Sequence, residues 1–354
     1  MSNLPRLLIN LPKLVHNYQT LRRRCREAGI NLTVVVKGLA GDRPTVESLV
    51  AAGLRALGDS RLENLANYQS YPELQKMQLR LPTPQTAAQT VQLAEVSLNT
   101  EPVTLKALNY YAGLQGRKHR VILMVDLGDL REGVSGADLP GLAEYCRQLR
   151  HLEVIGVGAD FACFAGVLPT PAALTQLTDL AGQLRSEYNL PVKYISGGNS
   201  SSLPLLYERR LPPGVNHLRI GEAILLGRET FHGTILPDLW PDVFCVEAPV
   251  LQVQWKPGKA TGLMGCDALG RKTALPQMAD GWRLLLGIGE QETPLAGLTP
   301  VDPGITILGG SSDYLVAAGE RRYPVGQILR FTPNYWSLMA LMSSVYVTKE
   351  YREI

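Results

Sequence analysis

Between about residue 30 and about residue 230, eight short apolar runs alternate with amphipathic stretches, and few folds accommodate that rhythm. The runs are LTVVVK (32–37), ALGDS (56–60), QLRLPTP (78–84), VSLN (96–99), VILMVDLG (121–128), EVIGVGAD (153–160), YISGGN (194–199) and HLRIGEAILLG (217–227). Helix-like segments lie between them, among them Pro44 to Ala52, Arg61 to Tyr68, Glu101 to Leu114, Leu139 to Leu149 and Ala172 to Tyr188. Strands alternating with helices imply βαβ units and a parallel sheet. Eight units over about 200 residues fit a (β/α)8 TIM-type barrel.

After about residue 235 the texture changes. Helical periodicity fades, and short strands appear, broken by Gly and Pro: VFCVEAPVLQVQW, WRLLLGIG, GITILGG and QILRFTP. That pattern reads as a β-domain, a sandwich or small barrel. Leu7 to Asn10 is strand-like, precedes the barrel and is placed to pair with this domain. Residues 11–28 read as a helix with Leu14, Tyr18 and Leu21 on one stripe, and Arg22-Arg23-Arg24 as its solvated face. The expected class is α/β: a barrel over 11–234, then a C-terminal β-domain over 235–354 that includes the strand at 5–10.

Composition narrows the function. The chain has 354 residues, 45% hydrophobic and 19% charged, a globular profile. A net charge of +3 and 6% aromatic residues argue against nucleic acid as partner. No apolar stretch reaches the roughly 20 residues of a membrane span, and MSNLPRLLINLPKLVHNY lacks a signal-peptide core and cleavage site. Cys25, Cys146, Cys163, Cys245 and Cys266 are scattered and odd in number, without a C-x-x-C pair. They suit a reducing cytoplasm and speak against a disulfide framework or a structural zinc site.

Active sites of parallel barrels lie at the C-terminal ends of the strands. The polar residues closing each run are therefore the informative ones: Lys37, Asp59 with Ser60, Asn99, Asp126, Asp160, Ser196 to Ser202, and Arg219 with Glu222. Gly197-Gly198-Asn199-Ser200-Ser201-Ser202 follows the seventh run, and Gly221 sits in the eighth. Glycine allows close backbone approach, and successive N–H groups with serine hydroxyls make an anion cradle where barrels of this kind hold phosphate. TVVVK ends a strand read as buried on both faces with a residue that is seldom fully buried. A lysine there, facing a phosphate site, is what pyridoxal 5'-phosphate needs, because its aldehyde condenses with an amine. Desolvation would favour the neutral, nucleophilic amine. The plain alternative is a lysine snorkelling at a strand end.

VVVKGLAGD, ALGDSRLEN, ILMVDLGDLREGV, ISGGNSSSLPLL, LRIGEAILLGRET and ILGGSSDYL together resemble the alanine-racemase-like, fold-type III pyridoxal-phosphate enzymes, most of all their ornithine racemase group. The resemblance covers nearly the whole chain. It implies a barrel plus a C-terminal β-domain in a head-to-tail homodimer. It makes Lys37 the Schiff-base lysine and one of two acid/base groups, and Asn199, Ser200 and Ser201 with the backbone of Gly221 and Glu222 the phosphate site. Tyr335 or Tyr346, in NYWSLMALMSSVY, is a further phosphate-ligand candidate. Arg219 stands where alanine racemases aim an arginine at the pyridine nitrogen. Guanidinium keeps its proton and cannot protonate that ring, which favours return of a proton to Cα. Related decarboxylases carry glutamate there. Arg131 matches the arginine that receives the substrate carboxylate; a surface salt bridge is the alternative.

The departures concern the second face. The loop Gly38 to Asp42 has no tyrosine, GADFACFAG lacks the family's histidine near Asp160, and Met124 stands where a lysine is common. The family's second-base tyrosine falls near Glu290. Candidates for that base are Glu290, Cys266 or Asp267 in MGCDALG, and Ser312 or Asp313 in GGSSDY; for Cys266 a plain free cysteine is the alternative. Asp313 matches an aspartate that faces a distal amine in ornithine decarboxylases of this fold. The expectation is a racemase of a basic amino acid, ornithine first and lysine next, with no metal. The alternatives are a racemase of other amino acids such as alanine, a lyase, or a non-catalytic cofactor-binding protein.

Overall fold

The first strand, β1 (Arg6–Asn10), runs into a helix at Leu11–Glu27, after which eight parallel strands close a barrel. They are β2 (Asn31–Val35), β3 (Ala56–Asp59), β4 (Gln75–Gln78), β5 (Val96–Asn99), β6 (His119–Met124), β7 (Leu152–Ala159), β8 (Tyr194–Gly197) and β9 (His217–Ile220). The barrel closes where β2 pairs with β9, from Asn31 opposite His217 to Val34 opposite Ile220. This is a computed structural model, describing residues 5–267, 269–272 and 279–352.

Strands such as β5 and β9 are buried at every position, which is why they read as unbroken apolar runs. Two of the crossover helices begin on side-chain caps. Asp42 accepts the Thr45 N–H at 3.0 Å ahead of Arg43–Ala51, and Thr170 accepts the Ala173 N–H at 3.1 Å ahead of Pro171–Ser186. The stripe Leu14, Tyr18 and Leu21 is buried as expected. The basic run differs in part. Arg22 and Arg23 are exposed, but the Arg24 guanidinium lies 4.3 Å from the Tyr207 ring centroid and 2.8 Å from Asp238.

The third run is displaced. The strand is Gln75–Gln78, and residues 79–84 contain none. The eighth run breaks after Ile220: Gly221 opens a short helix, Glu222–Leu226.

The second region is built from β1 and seven later strands: β10 (Phe244–Lys256), β11 (Gly281–Leu286), β12 (Leu298–Pro300), β13 (Ile305–Gly310), β14 (Leu315–Gly319), β15 (Ile328–Pro333) and β16 (Thr348–Arg352). The order is β12-β15-β10-β11-β14-β13, with β1 antiparallel to β10 and parallel to β16. Long β10 shifts register between Val250 and Gln252 where it passes to β11. A helix at Tyr335–Ser343, capped by Asn334, was not expected; YWSLMALMS is apolar nearly all round and shows no stripe.

The chain forms two compact units. One holds Leu14–Lys37 and Gly41–Trp240; the other holds the segment up to Lys13, Gly38–Ala40, and Pro241 onward. No helix among the described residues is long and apolar enough to cross a membrane.

Candidate active site

Thr33, Val34, Val35 and Val36 are buried, and Lys37 is exposed. The expectation of a buried amine is therefore corrected: the strand's burial stops at Val36, and the lysine leaves it at the open end of the barrel. Its charge is felt by three neighbouring strand ends. Burial pushes Asp59 up to about 6, Cys163 up to about 11 and Glu222 above its usual range, and in each the Lys37 ammonium pulls part of the way back. Asp59 itself is spent on its loop. It accepts from the Arg61 N–H at 2.9 Å and from the Asn64 amide at 3.1 Å.

The loop after β8 is a cradle with one unused hydroxyl. Gly198 has φ +103°, and a Cβ there would stand 2.7 Å from Ser202 Oγ and 3.0 Å from the Phe161 ring. Asn199 organises the turn. Its Oδ1 accepts the Ser201 N–H at 2.9 Å and its Nδ2 donates to the Phe161 carbonyl at 2.9 Å. Ser202 Oγ donates to the Gly197 carbonyl at 2.6 Å, and Ser200 Oγ accepts the Ala223 N–H at 3.2 Å, tying the loop to the Glu222–Leu226 turn. Ser201 Oγ is buried without a partner. An unspent donor in a buried cradle is costly unless a ligand takes it, and an anion such as a phosphate ester fits. Gly221 permits the close fit, since a Cβ there would stand 3.0 Å from Val35.

Arg219 is 2% exposed. It donates to Ser196 Oγ and, at 2.9 Å, to the Ala159 carbonyl, and pairs with Asp160 at 2.8 Å. Gly158 makes room, because its Cβ would stand 3.2 Å from Arg219 Nη1. His217 lies beneath, 2.9 Å from Thr33 Oγ1 and 2.7 Å from Ser196 Oγ. Burial and the Arg219 charge push it down to about 3, so it is neutral. Arg131 pairs with Asp160 at 2.9 Å and with Glu132. Asn99 and Asp126, the other polar strand ends, serve locally: Asn99 donates to Ser97 Oγ at 2.9 Å, and Asp126 accepts from the Gly128 and Leu130 N–H groups at 2.8 and 3.2 Å.

In the sheet unit, Arg271 gathers several candidates. It pairs with Asp267 at 2.8 Å and Glu290 at 3.0 Å, and donates to the Gly310 carbonyl at 3.2 Å. Glu290 also accepts the Leu295 N–H at 3.3 Å. Gly289 lets two loops touch, since a Cβ there would stand 2.0 Å from the Ser312 carbonyl oxygen. Ser312 Oγ donates to Asp313, itself exposed, at 2.6 Å. Cys266 is exposed and unbonded to another cysteine. Tyr335, half-buried, opens its helix, and Tyr346 is 60% exposed. Sequence reasoning passed over Glu132 and His217. The first sits beside a named arginine, where an adjacent opposite charge is a usable signal; the second is hidden in an apolar run.

The family profile for the alanine racemase N-terminal domain matches residues 9–229. An ornithine racemase from Acetoanaerobium sticklandii is 36% identical over 350 residues, covering 98% of this chain and 99% of the relative. A lysine racemase from Thermotoga maritima is 33% identical over 350 residues, covering 98% of each. Among solved structures, alanine racemase from Bartonella henselae with covalently bound pyridoxal phosphate superposes with a TM-score of 0.74 at 16% identity, over 98% of this chain and 99% of that one. The last likeness bears on the fold.

Proposed function

This chain belongs to the alanine racemase N-terminal-domain family, and from that premise we propose that it is a pyridoxal-phosphate-dependent racemase of a basic amino acid, ornithine first and lysine next. The observation that carries the reading is on the barrel: the Lys37 amine stands at the mouth that also holds the unspent, buried Ser201 hydroxyl. Near-full-length similarity to racemases of ornithine and lysine supports the substrate class.

When bound, pyridoxal phosphate supplies an aldehyde and an electron-withdrawing ring, which together acidify an amino acid's Cα–H. Lys37 Nζ holds the aldehyde end and moves a proton at Cα on one face. Ser201 Oγ would donate to the phosphate, with Ser200, Asn199 and the backbone of Gly221 and Glu222 as its other barrel ligands. Arg219 would stand at the ring nitrogen as a donor that keeps its own proton, which would favour return of a proton to Cα. Arg131 takes the substrate carboxylate, and Asp313 the distal ammonium. The opposite-face proton is handled by one of Cys266, Glu290 and Ser312. In the chain as it stands Glu290 is engaged by Arg271 and Ser312 by Asp313. The active assembly is a head-to-tail homodimer in the cytoplasm.

The test is Cα exchange. Cofactor-loaded protein is incubated with L-ornithine in deuterated water, the Cα signal is followed by NMR, and the chirality of the product is determined. Exchange with formation of D-ornithine is expected. Exchange with another amino acid instead would keep the mechanism and discard the substrate, and no exchange with any would move the reading to a cofactor-binding protein without catalysis. Asp313→Asn should raise KM for ornithine far more than for alanine, and equal effects would remove Asp313 from the distal-amine role.

A further inference from the structure

Two arginines given separate tasks above share one carboxylate. Asp160 follows β7, and its oxygens are divided: Oδ1 lies 2.8 Å from Arg219 Nη2, and Oδ2 lies 2.9 Å from Arg131 Nη2. The carboxylate is 11% exposed, Arg219 3% and Arg131 36%, so the bridge runs from the barrel interior to its open mouth. The other partners of Arg219 are the neutral Ser196 hydroxyl and Ala159 carbonyl. Among the described residues Asp160 is thus the sole ion-pair partner of an almost wholly buried cation. Arg131 has a second carboxylate, Glu132. The Asn199 amide, 3.4 Å from Asp160 Oδ1, approaches the carboxylate from the serine loop.

Two cations that bind two points of one ligand work best at a fixed spacing, and two guanidiniums brought close repel unless an anion stands between them. We infer that Asp160 is a positioning residue: it couples the arginine at the cofactor ring to the arginine at the substrate carboxylate and sets their separation. This rests on the racemase reading above. It assigns Asp160 no contact with substrate or cofactor.

The test uses the holoenzyme and Asp160→Asn, which keeps the shape and removes the charge. Two readouts are taken: the absorbance spectrum of bound pyridoxal phosphate without amino acid, and ornithine affinity by absorbance titration. Asp160→Asn should shift the spectrum toward that of Arg219→Gln and weaken ornithine binding by about tenfold or more, the loss expected for a charge-assisted contact out of place. A change in only one readout, or in neither, would overturn the coupling. Should Asp160→Asn fail to fold, Asp160→Glu keeps the charge and lengthens the side chain by one methylene, which displaces both arginines. Both readouts should then move together, and an unchanged spectrum or an unchanged affinity would overturn the coupling. If the wild-type protein binds cofactor but racemises nothing, the racemase reading fails, and the spectrum alone then decides for or against Asp160.

Discussion

In the sheet, Glu247 lies between Arg6 and Arg330; at the barrel mouth, Asp160 lies between Arg219 and Arg131. The charges are the same and the construction is not. Arg6, Glu247 and Arg330 stand opposite one another on β1, β10 and β15, so ladder register alone brings them together. There the anion is the buried member, at 2% exposure, while Arg6 and Arg330 reach water at 24% and 54%. At the mouth the buried member is the cation Arg219, and its partners, Asp160, Ser196 and the Ala159 carbonyl, lie on or just past β7 and β8. In both, burial opposes ionisation of the carboxylate, and the two arginines outweigh it and hold the carboxyl below its usual range. A bridge made by strand register is finished when the sheet is finished. A bridge made at a barrel mouth takes its members from separate strand ends and loops, and places the buried charge on the cation.

Activity should separate the two regions most sharply. Lys37→Ala is expected to lower Cα exchange by at least about a thousandfold and to leave the protein colourless, while its unfolding free energy stays within about 0.5 kcal/mol of that of the cofactor-free wild type. A yellow, active Lys37→Ala protein would refute the assignment. Glu247→Gln should do the reverse. It leaves Arg6 and Arg330 flanking a neutral group with their charges still in reach of water, costs about 2 kcal/mol in denaturant unfolding for the lost charge-assisted hydrogen bonds, and leaves kcat of the folded enzyme unchanged. Wild-type stability with slowed turnover would invert the comparison.

Acid sharpens it further, with smaller effects. Burial and neighbouring arginines push His119 and His217 of the barrel down to about 3. Their folded-state values lie below the ordinary one, so the stability they contribute is complete above about pH 6.5 and is lost as pH falls toward 3. Asp59, pushed up to about 6 by burial, works the other way: it lowers stability as pH rises from about 4 to 6. The two histidines outweigh it by roughly 2 kcal/mol at pH 5. Glu247 in the sheet holds its contribution down to about pH 4 and loses it only below that. Hydrogen-exchange mass spectrometry at pH 7 and pH 5 should therefore show protection falling in β5, β6 and β9 before β1, β10 and β15. Equal loss in both would remove the histidines as the cause.

The barrel was legible because a parallel strand covered on both faces must be apolar throughout, and seven of its eight runs fall where the strands are. The eighth misled. Lys76 is 2% exposed within β4, its Nζ donating to the Leu74 carbonyl at 3.0 Å, so QKMQ does not look like a buried strand, while the apolar residues that follow it do. The sheet was legible in outline only: β12, β14 and β16 are short or half-exposed, and the all-round apolar helix at Tyr335–Ser343 carries no period to read. At the site, Lys37 and the serine loop announce themselves as polar residues closing apolar runs. The Asp160 bridge does not. Its members are ordinary charges far apart in the chain, and only closure of the barrel gives them a common oxygen pair.

The pairing of β1 carries a consequence for how the molecule is made. Its partners, β10 and β16, follow the barrel in the chain, with Arg6 and Glu247 separated by 241 positions and Arg6 and Glu350 by 344. On the ribosome the barrel segment emerges whole while β1, with its apolar Leu7, Leu8 and Ile9, still lacks both ladders. That strand is an exposed, aggregation-prone edge for as long as synthesis takes to reach β10, and contacts of such long range close late. The sheet, and not the larger barrel, is where chaperone dependence and temperature-sensitive assembly should concentrate.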